Sequence, residues 1–200
     1  MGKNKSRKQK RTKSHLRKFI ISGVIILVFF GFGVFYYNYS QNQVEMQEGL
    51  SIENIEKIEL ERKIRDMVTG FPIEHMIPFI IEKDPKVAAF LVSIAKKESD
   101  WGVRHPKYKG RDCYNYWGYK GPNRVGSGGH SCFNSRKEAV DIVGKRIENL
   151  VYGQDLNTPA KMIVWKCGSS CNGHSSIGVR KWISDVNYYY KQLQTRLHQQ

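Results

Sequence analysis

The sequence predicts a mainly α protein, in which a helical outer domain with one irregular or hairpin-like lobe follows an N-terminal transmembrane helix. Three observations lead to this prediction: an uncharged apolar run near the N-terminus, helix-start signals along the second half, and a Gly-, Tyr- and Trp-rich segment at 100–134 without helical periodicity. At 200 residues, one domain with appendages is expected. We divide the chain into a basic arm (1–18), a membrane helix (19–37), a polar stalk (38–69) and the outer domain (70–200).

The basic arm carries much of the charge. The chain has 33 Lys+Arg and 18 Asp+Glu, and nine of the basic residues lie in residues 1–18, which contain no acid. A nucleic-acid-binding protein does not usually confine its excess charge to one arm beside an apolar run, so no nucleic acid partner is expected, although such a protein remains an alternative. Residues 70–200 carry twenty basic and eleven acidic residues, a charge that attracts anionic polymers or serves solubility.

The apolar run reads FIISGVIILVFFGFGVFYY over residues 19–37. At 1.5 Å per residue a helix of this length spans roughly 28 Å, enough to cross the hydrocarbon core. It is longer than a typical signal-peptide core, and no small-x-small cleavage site follows it, although a cleaved signal peptide is the alternative. We expect a single-pass anchor in the cell membrane, with residues 1–18 in the cytoplasm and residues 40–200 outside it.

The segment 38–69 is polar, with seven acids and four bases. It is either a stalk helix or a helix packed on the domain that follows, and we interpret it as a spacer. Its partial helical stripe consists of Ile52, Ile55, Ile58, Ile64, Met67 and Val68.

Four helices are predicted in the outer domain. An N-cap Asp followed by Pro opens the first, a Ser-Arg-Lys-Glu capping box opens the second, and a Thr-Pro pair opens the third. A stripe at spacings of three and four marks the last. The helices cover 85 to about 99, 136 to about 151, and 159–165, and the last stripe comprises Val179, Ile183, Val186, Tyr190, Leu193 and Leu197.

One carboxylate stands where the first of these helices should carry a hydrophobic residue. Val87, Leu91, Ile94 and Glu98 follow spacings of four, three and four, so Glu98 lies at the end of the apolar stripe. A carboxyl group there is partly desolvated, and desolvation favours the protonated form from which a general acid donates. In the alternatives, the helix ends early enough for Glu98 to reach water, or Glu98 pairs with a buried base.

The first of two motifs begins at this residue. Glu98-Ser99-Asp100-Trp101-Gly102 is followed by a second motif at 115–121, which reads NYWGYKG. Together they resemble the lysozyme-like superfamily, and within it the bacterial peptidoglycan-cleaving glucosaminidases of the mannosyl-glycoprotein endo-β-N-acetylglucosaminidase type. The pattern of these enzymes is E-S-x-W-G and then N-aromatic-aromatic-G-x-K-G. The stretch 182–188 resembles their closing Y-A-T-D-x-x-Y, with Trp182 in place of the first tyrosine, and the resemblance covers about residues 70–195.

The resemblance implies a lysozyme-like helical fold and a glycoside hydrolase that cleaves β-1,4 bonds in peptidoglycan glycan strands, without cofactor or metal. Glu98 would be the general acid. The aromatic residues of the segment 100–134 suit a sugar cleft, because flat rings pack on the apolar faces of pyranoses. About half of these aromatic residues are equally expected in the core. The residues expected to bind substrate are Ser99, Trp101, Asn115, Tyr116, Trp117, Tyr119, Lys120 and Tyr188.

The motifs do not assign a second catalytic group. Asp100 and Asp112 are the nearest acids in sequence, and Asp141 is expected to be an exposed helix residue. The resemblance also allows a distant acid, or the acetamido or hydroxyl group of the substrate, to complete the reaction. Anhydro-forming lysis by a lytic transglycosylase and a non-catalytic wall-binding module therefore remain alternatives. The G-L-M-Q and A-Y-N-x-G motifs of the related transglycosylases are absent, which favours the glucosaminidases.

The four cysteines lie outside the membrane in the predicted topology, so disulfides are expected. Three pairings are possible, and proximity favours Cys113–Cys132 and Cys167–Cys171. The alternative is a zinc site with His130 or His174 nearby, but the spacing lacks the paired short knuckles of structural zinc.

Overall fold

The computed structural model describes residues 27, 30–43 and 54–194, and the chain divides into two compact units, Met1–Glu53 and Asn54–Gln200. In the first unit, residues 30–43 are helical. The predicted basic arm and most of the predicted membrane helix at 19–37 lie outside the described residues. Within the described ranges, no helix combines the length and the apolar character that a membrane crossing requires.

The second unit is mainly helical, which confirms the predicted fold class at this level. Four of its helices are longer than one turn: α1 (54–68), α3 (Pro85–Ser99), α4 (Arg136–Glu148) and α6 (Ser176–Leu193). The short helices α2 (Ile77–Ile80) and α5 (Val164–Cys167) each follow a 3₁₀ turn, at Pro72–Met76 and Lys161–Ile163.

Helix α1 belongs to this unit rather than to a spacer. Three of its apolar side chains, four residues apart, are buried in the core: Leu60, Ile64 and Val68. Ile55 and Ile58, which the sequence analysis placed on the stripe, are exposed instead. Two residues in the second half of the predicted stripe, Ile64 and Val68, are thus buried while the two described residues of its first half are not, and the compact unit begins at Asn54, before the boundary predicted at residue 70.

Helix α3 is the centre of the unit and packs against α4 and α6. It begins as predicted, because the Asp84 side chain accepts hydrogen bonds from the backbone N–H groups of Lys86 and Val87, while Pro85 occupies the first turn. Its middle section, from Val87 to Ala95, is buried throughout. The carboxyl end of α3, where Glu98 lies, is held against α6 through hydrogen bonds from Lys97 to Asp185 and from Trp182 to Glu98.

Among the other helices, α4 begins at the predicted capping signal, whereas the predicted third helix is not continuous. Ser135 caps α4 by accepting a hydrogen bond from the Glu138 N–H, and a π-helical turn at Asn149–Gly153 continues it. The predicted third helix is divided into a 3₁₀ turn and α5. Helix α6 begins at Ser176, three residues before the first member of the predicted stripe, and Leu197 lies outside the described residues. The buried face of α6 consists of Trp182, Val186, Tyr190 and Leu193.

The predicted irregular lobe consists of two small antiparallel hairpins. They are formed by β1 (Lys107–Tyr108) with β2 (Arg111–Asp112), and by β3 (Arg124–Val125) with β4 (His130–Ser131). The disulfide Cys113–Cys132 joins the ends of the two hairpins, and Cys167–Cys171 closes the turn after α5. Both favoured pairings are thus confirmed. The four cysteine sulfurs are bonded to one another in pairs, whereas a zinc site would need them as thiolates.

Candidate active site

Glu98 lines a cleft of about 650 Å³ between the lobe and the helices. The lobe wall of the cleft is formed by residues 117–120 and His130. The helical wall includes Arg146 from α4 and residues 164–166 from α5. The volume lies within the range of about 300–1,000 Å³ that is typical of ligand sites.

The two oxygens of the Glu98 carboxylate have different surroundings. Oε1 accepts a hydrogen bond of 2.7 Å from the indole Nε1–H of Trp182, a side chain that is only 1% exposed. Oε2 accepts no hydrogen bond from any residue that the structure describes, and it lies beside Gly118, where a Cβ would approach it to 3.4 Å. Because Oε1 already accepts the Trp182 hydrogen, a proton on this carboxyl group belongs on Oε2.

A tight reversal directly after Glu98 ends helix α3. Asp100 and Trp101 both adopt left-handed backbone conformations, with φ of 56° and 54°. The Ser99 hydroxyl donates a hydrogen bond of 2.7 Å to the Tyr116 carbonyl and accepts one of 2.9 Å from the Gly102 N–H. Ser99, predicted to bind substrate, is instead buried and joins the helix end to the lobe.

Trp101 and Gly102 complete this reversal. The Trp101 indole is buried and donates its N–H to the Val92 carbonyl at 2.9 Å, while the Lys96 ammonium lies 4.1 Å from its ring centroid. Gly102 has φ of +94°, and a Cβ there would lie 2.8 Å from the Tyr116 ring. The first motif thus places only Glu98 on the cleft, and Trp101 does not line it.

Asn115 organises the second motif from within. Its amide donates hydrogen bonds of 2.8 Å to the carbonyls of Tyr119 and Ser131, and its Oδ1 accepts the Tyr119 N–H at 2.9 Å. With 1% of its surface exposed, it has no hydrogen-bonding capacity directed at a ligand. Asn115, predicted to contact substrate, is thus placed inside the lobe, where its amide holds the turn that carries Gly118.

Tyr116 and Trp117 are also held inside. The Tyr116 hydroxyl donates to Asp112 at 3.1 Å, and burial, followed by the Asp112 charge, raises the pKa of Tyr116. The buried Trp117 indole donates to the Leu91 carbonyl on α3 at 2.7 Å. Tyr116, predicted to bind substrate, does not line the cleft, whereas Trp117 does so as part of the lobe wall.

Tyr119 and Lys120 line the cleft as the sequence analysis expected. The Tyr119 ring stacks on the Trp165 ring, with centroids 5.9 Å apart and planes 26° apart, so the two walls meet through aromatic residues. The Trp165 N–H donates to the Trp117 carbonyl at 2.9 Å, which fixes the indole. Tyr119 also stacks on Phe133, with ring centroids 6.4 Å apart, so Tyr119 and Trp165 belong to a row of aromatic rings that borders the cleft.

Tyr188 lies elsewhere. It is 63% exposed in a separate groove that Lys97, Asp100 and Asp185 also line. On a helix, six residues at about 100° each place it about 120° away from Trp182, so both side chains cannot face Glu98. The structure therefore places Tyr188, which was expected on the glycan cleft, outside the cleft that contains Glu98.

The acids considered as second catalytic groups are engaged away from the cleft. Asp100 pairs with Lys96 at 2.6 Å, and Asp112 accepts the Tyr114 N–H at 2.6 Å in addition to the Tyr116 hydroxyl. Asp141 lies on α4 and pairs with two lysines. Among the described residues, Glu98 is the one carboxylate on this cleft.

Sequence reasoning missed Trp182, Trp165, His130 and Arg146 as site residues. For Trp182 a signal existed, because it precedes Val186 and Tyr190 at spacings of four, but the stripe was drawn through Ile183 instead. No local pattern indicates the other three, since the packing of separate elements brings them to the cleft.

Comparison with known proteins gives no further identification. The chain matches no family model, no curated protein and no solved structure.

Proposed function

We propose that the protein is a membrane-anchored, extracytoplasmic peptidoglycan hydrolase with a lysozyme-like helical domain. It cleaves β-1,4 glycosidic bonds in glycan strands, with Glu98 as general acid. One observation carries this proposal: among the described residues, Glu98 is the one carboxylate on the cleft, and Trp182 fixes one of its oxygens while the other accepts no hydrogen bond from these residues and can hold a transferable proton.

The reaction needs a proton at the leaving oxygen as the sugar ring acquires oxocarbenium character. Oε2 of Glu98 is the atom that supplies it, because Oε1 is occupied by the Trp182 N–H. This hydrogen bond also fixes the plane of the carboxyl group, so the proton is presented in one direction.

The surroundings of Glu98 suit a pyranose ring. Tyr119 and Trp165 bring stacked aromatic rings to the cleft, and the apolar face of a sugar packs on such rings. Gly118 leaves the space beside Oε2 open, since a side chain there would begin 3.4 Å from that oxygen. The scissile bond can therefore approach the acid closely.

Because Glu98 is the one carboxylate on the cleft among the described residues, the group that attacks the anomeric carbon after proton donation has to be assigned separately. Retaining enzymes place a second carboxyl group about 5–5.5 Å from the first, and inverting enzymes about 6.5–9.5 Å. Asp100 and Asp112 are engaged elsewhere, so for hydrolysis we assign the attack on the anomeric carbon to the acetamido oxygen of the substrate, while the leaving oxygen departs with the Glu98 proton. Water then attacks the anomeric carbon of the resulting oxazolinium ion, which opens the ring, and Glu98 takes up the proton of that water. This arrangement also favours lytic transglycosylase as the second candidate, in which a substrate hydroxyl attacks the anomeric carbon and an anhydro sugar is released.

The proposed location rests on the sequence and on the disulfides. The uncharged run at 19–37 follows a basic arm, which is the pattern of an anchor with a cytoplasmic N-terminus. Two disulfides in the second unit fit an oxidising compartment outside the cytoplasm.

The test uses the oxidised full-length chain in mild detergent, as wild type and Glu98→Gln, incubated with purified sacculi. Mass spectrometry identifies the released fragments. Reducing-end saccharides from the wild type alone establish a hydrolase, and their terminal sugar identifies the bond; anhydro-muropeptides establish the transglycosylase instead. Equal release by both proteins excludes Glu98 as the acid. Binding without release by either protein indicates a non-catalytic wall-binding module.

A further inference from the structure

The cleft that contains Glu98 is lined by an excess of basic side chains. Lys120 lies on the lobe wall, while Arg146 and Lys166 lie on the helical wall. Within the part of the chain that the structure describes, none of these three side chains forms a salt bridge, and Glu98 is the one acid beside them. We refer to Lys120, Arg146 and Lys166 as the cleft cations.

Lysines outside the cleft are often neutralised. Lys83 pairs with Asp141 at 2.5 Å, and Lys161 pairs with Asp155 at 2.6 Å. Lys97, which precedes Glu98 in sequence, is bound to an acid on α6 at 2.6 Å. Several acids of this unit are thus paired with cations elsewhere, and none of them neutralises the three basic side chains that line the cleft.

Like charges gathered in a concave site repel one another, and the surrounding walls focus their potential into the cleft. A ligand with negative charge removes this repulsion and enters faster than a neutral one. The cations lie on both walls, so anionic groups on either side of a bound strand have a partner.

We infer that the cleft selects an anionic glycan, in which acidic groups attached to the sugars contact Lys120, Arg146 and Lys166. This inference deepens the proposed function and rests on it for the identity of the strand. The aromatic pair receives the sugar rings, and the cleft cations receive the charge of the substituents. A neutral glycan with the same backbone lacks the second set of contacts.

Two sources of negative charge occur on cell-wall strands: carboxylates of the lactyl and peptide substituents, and phosphates of polymers attached to the strand. The test measures binding of full-length Glu98→Gln chain to sedimented sacculi, which prevents turnover. Three preparations are compared: untreated sacculi, sacculi stripped of phosphate polymers with hydrofluoric acid, and stripped sacculi whose carboxylates are amidated with methylamine.

If the carboxylates are recognised, stripping leaves affinity unchanged and amidation weakens it about tenfold, which is the scale expected for several exposed charge contacts. A loss on stripping assigns the recognised group to phosphate. The combined variant Lys120→Met, Arg146→Met and Lys166→Met should show the same loss on untreated sacculi. Lys145→Met is the matched control, because Lys145 is exposed on α4 next to Arg146 and does not line the cleft. It should bind as the parent does.

Equal binding to all three preparations, or no detectable binding to any, overturns the inference. This outcome does not depend on how the methionine variants behave. Wild-type cleavage of the same sacculi, measured in parallel, separates the two proposals. Charge-dependent binding without cleavage contradicts the proposed enzyme but leaves the anionic site. Equal cleavage of all three preparations leaves the enzyme but contradicts selection for charge.

Discussion

The indole N–H of Trp182 donates a 2.7 Å hydrogen bond to Oε1 of Glu98, although the two residues are 84 positions apart. Helix α6 thereby orients a carboxylate that belongs to α3. Because the bond occupies one oxygen, it also determines which oxygen can carry a proton into the cleft. The packing of two helices is in this way linked directly to the proposed chemistry.

Trp182→Phe should lower the rate of sacculus cleavage by about tenfold, because the ring is largely retained while the donor that orients the carboxylate is lost. The initial rate at saturating substrate measures this effect, since the change acts on the acid and not on binding. Tyr190→Phe is the control: it lies two turns further along the buried face of α6 and should retain full activity. An unchanged rate in Trp182→Phe would show that the hydrogen bond has no role in orienting Glu98.

Gly118→Ala should impair both stability and activity. Gly118 has φ of +62°, where an alanine costs about 1 kcal/mol, and the new methyl group would lie 3.4 Å from Oε2 of Glu98. Gly126→Ala introduces comparable backbone strain, at φ of +63°, into open space. We expect similar losses in the free energy of unfolding from both variants, but a reduced cleavage rate from Gly118→Ala alone. Equal cleavage rates for the two variants would show that proton transfer from Oε2 does not require open space beside residue 118.

The two disulfides should contribute unequally to stability. Cys113 and Cys132 are 19 residues apart, whereas Cys167 and Cys171 are 4 residues apart. Loop-closure entropy predicts that removal of the first costs about 3 kcal/mol and removal of the second about 2 kcal/mol. Denaturant unfolding of the two paired Cys→Ser variants measures the difference. The reverse order would indicate that strain or residual structure outweighs chain entropy.

Asp141 should make stability depend on pH in the acid range. Hydrogen bonds from Lys137 and Lys83 lower the pKa of Asp141 below its usual value of 3.8. The native state thus holds this proton less tightly than the unfolded chain, so the stabilisation is present above about pH 4 and disappears as the pH falls through the lowered native value.

Asp141→Asn should therefore reduce the free energy of unfolding at pH 7. The side chain is 37% exposed, so solvent screening limits the effect to about 1 kcal/mol or less. Denaturant titrations from pH 7 down to about pH 2 should show the difference from wild type diminishing toward zero. A difference that persists at the acid end would indicate a packing effect instead of an ion pair.

Local signals in the sequence were sufficient to predict where helices α3 and α4 begin. Asp84 and Ser135 cap α3 and α4 as predicted, because capping depends on residues within one turn of each other. Val87, Leu91 and Ile94 of the predicted stripe are buried, but so is every other residue from Val87 to Ala95, so the periodicity did not show how deeply α3 is enclosed.

The sequence could not indicate what each motif residue contacts. An amide such as Asn115 can hold a sugar or brace a turn with the same donors and acceptor, and only the tertiary structure shows that Tyr119 and Ser131 already use them. The Trp182 contact depends on the relative placement of two helices, which periodicity within either helix does not determine. The same limit explains why α1 was interpreted as a spacer.

The central claim is that Glu98 supplies the proton, and the cleavage rate of Glu98→Gln on purified sacculi tests it most directly. The amide oxygen can still accept the Trp182 N–H, so the fold should be preserved while the transferable proton is lost. Glu148→Gln is the matched control, an exposed glutamate at the end of α4 that does not line the cleft. The account predicts at least about a hundredfold loss for Glu98→Gln and wild-type activity for Glu148→Gln. A Glu98→Gln rate equal to that of the wild type would contradict it.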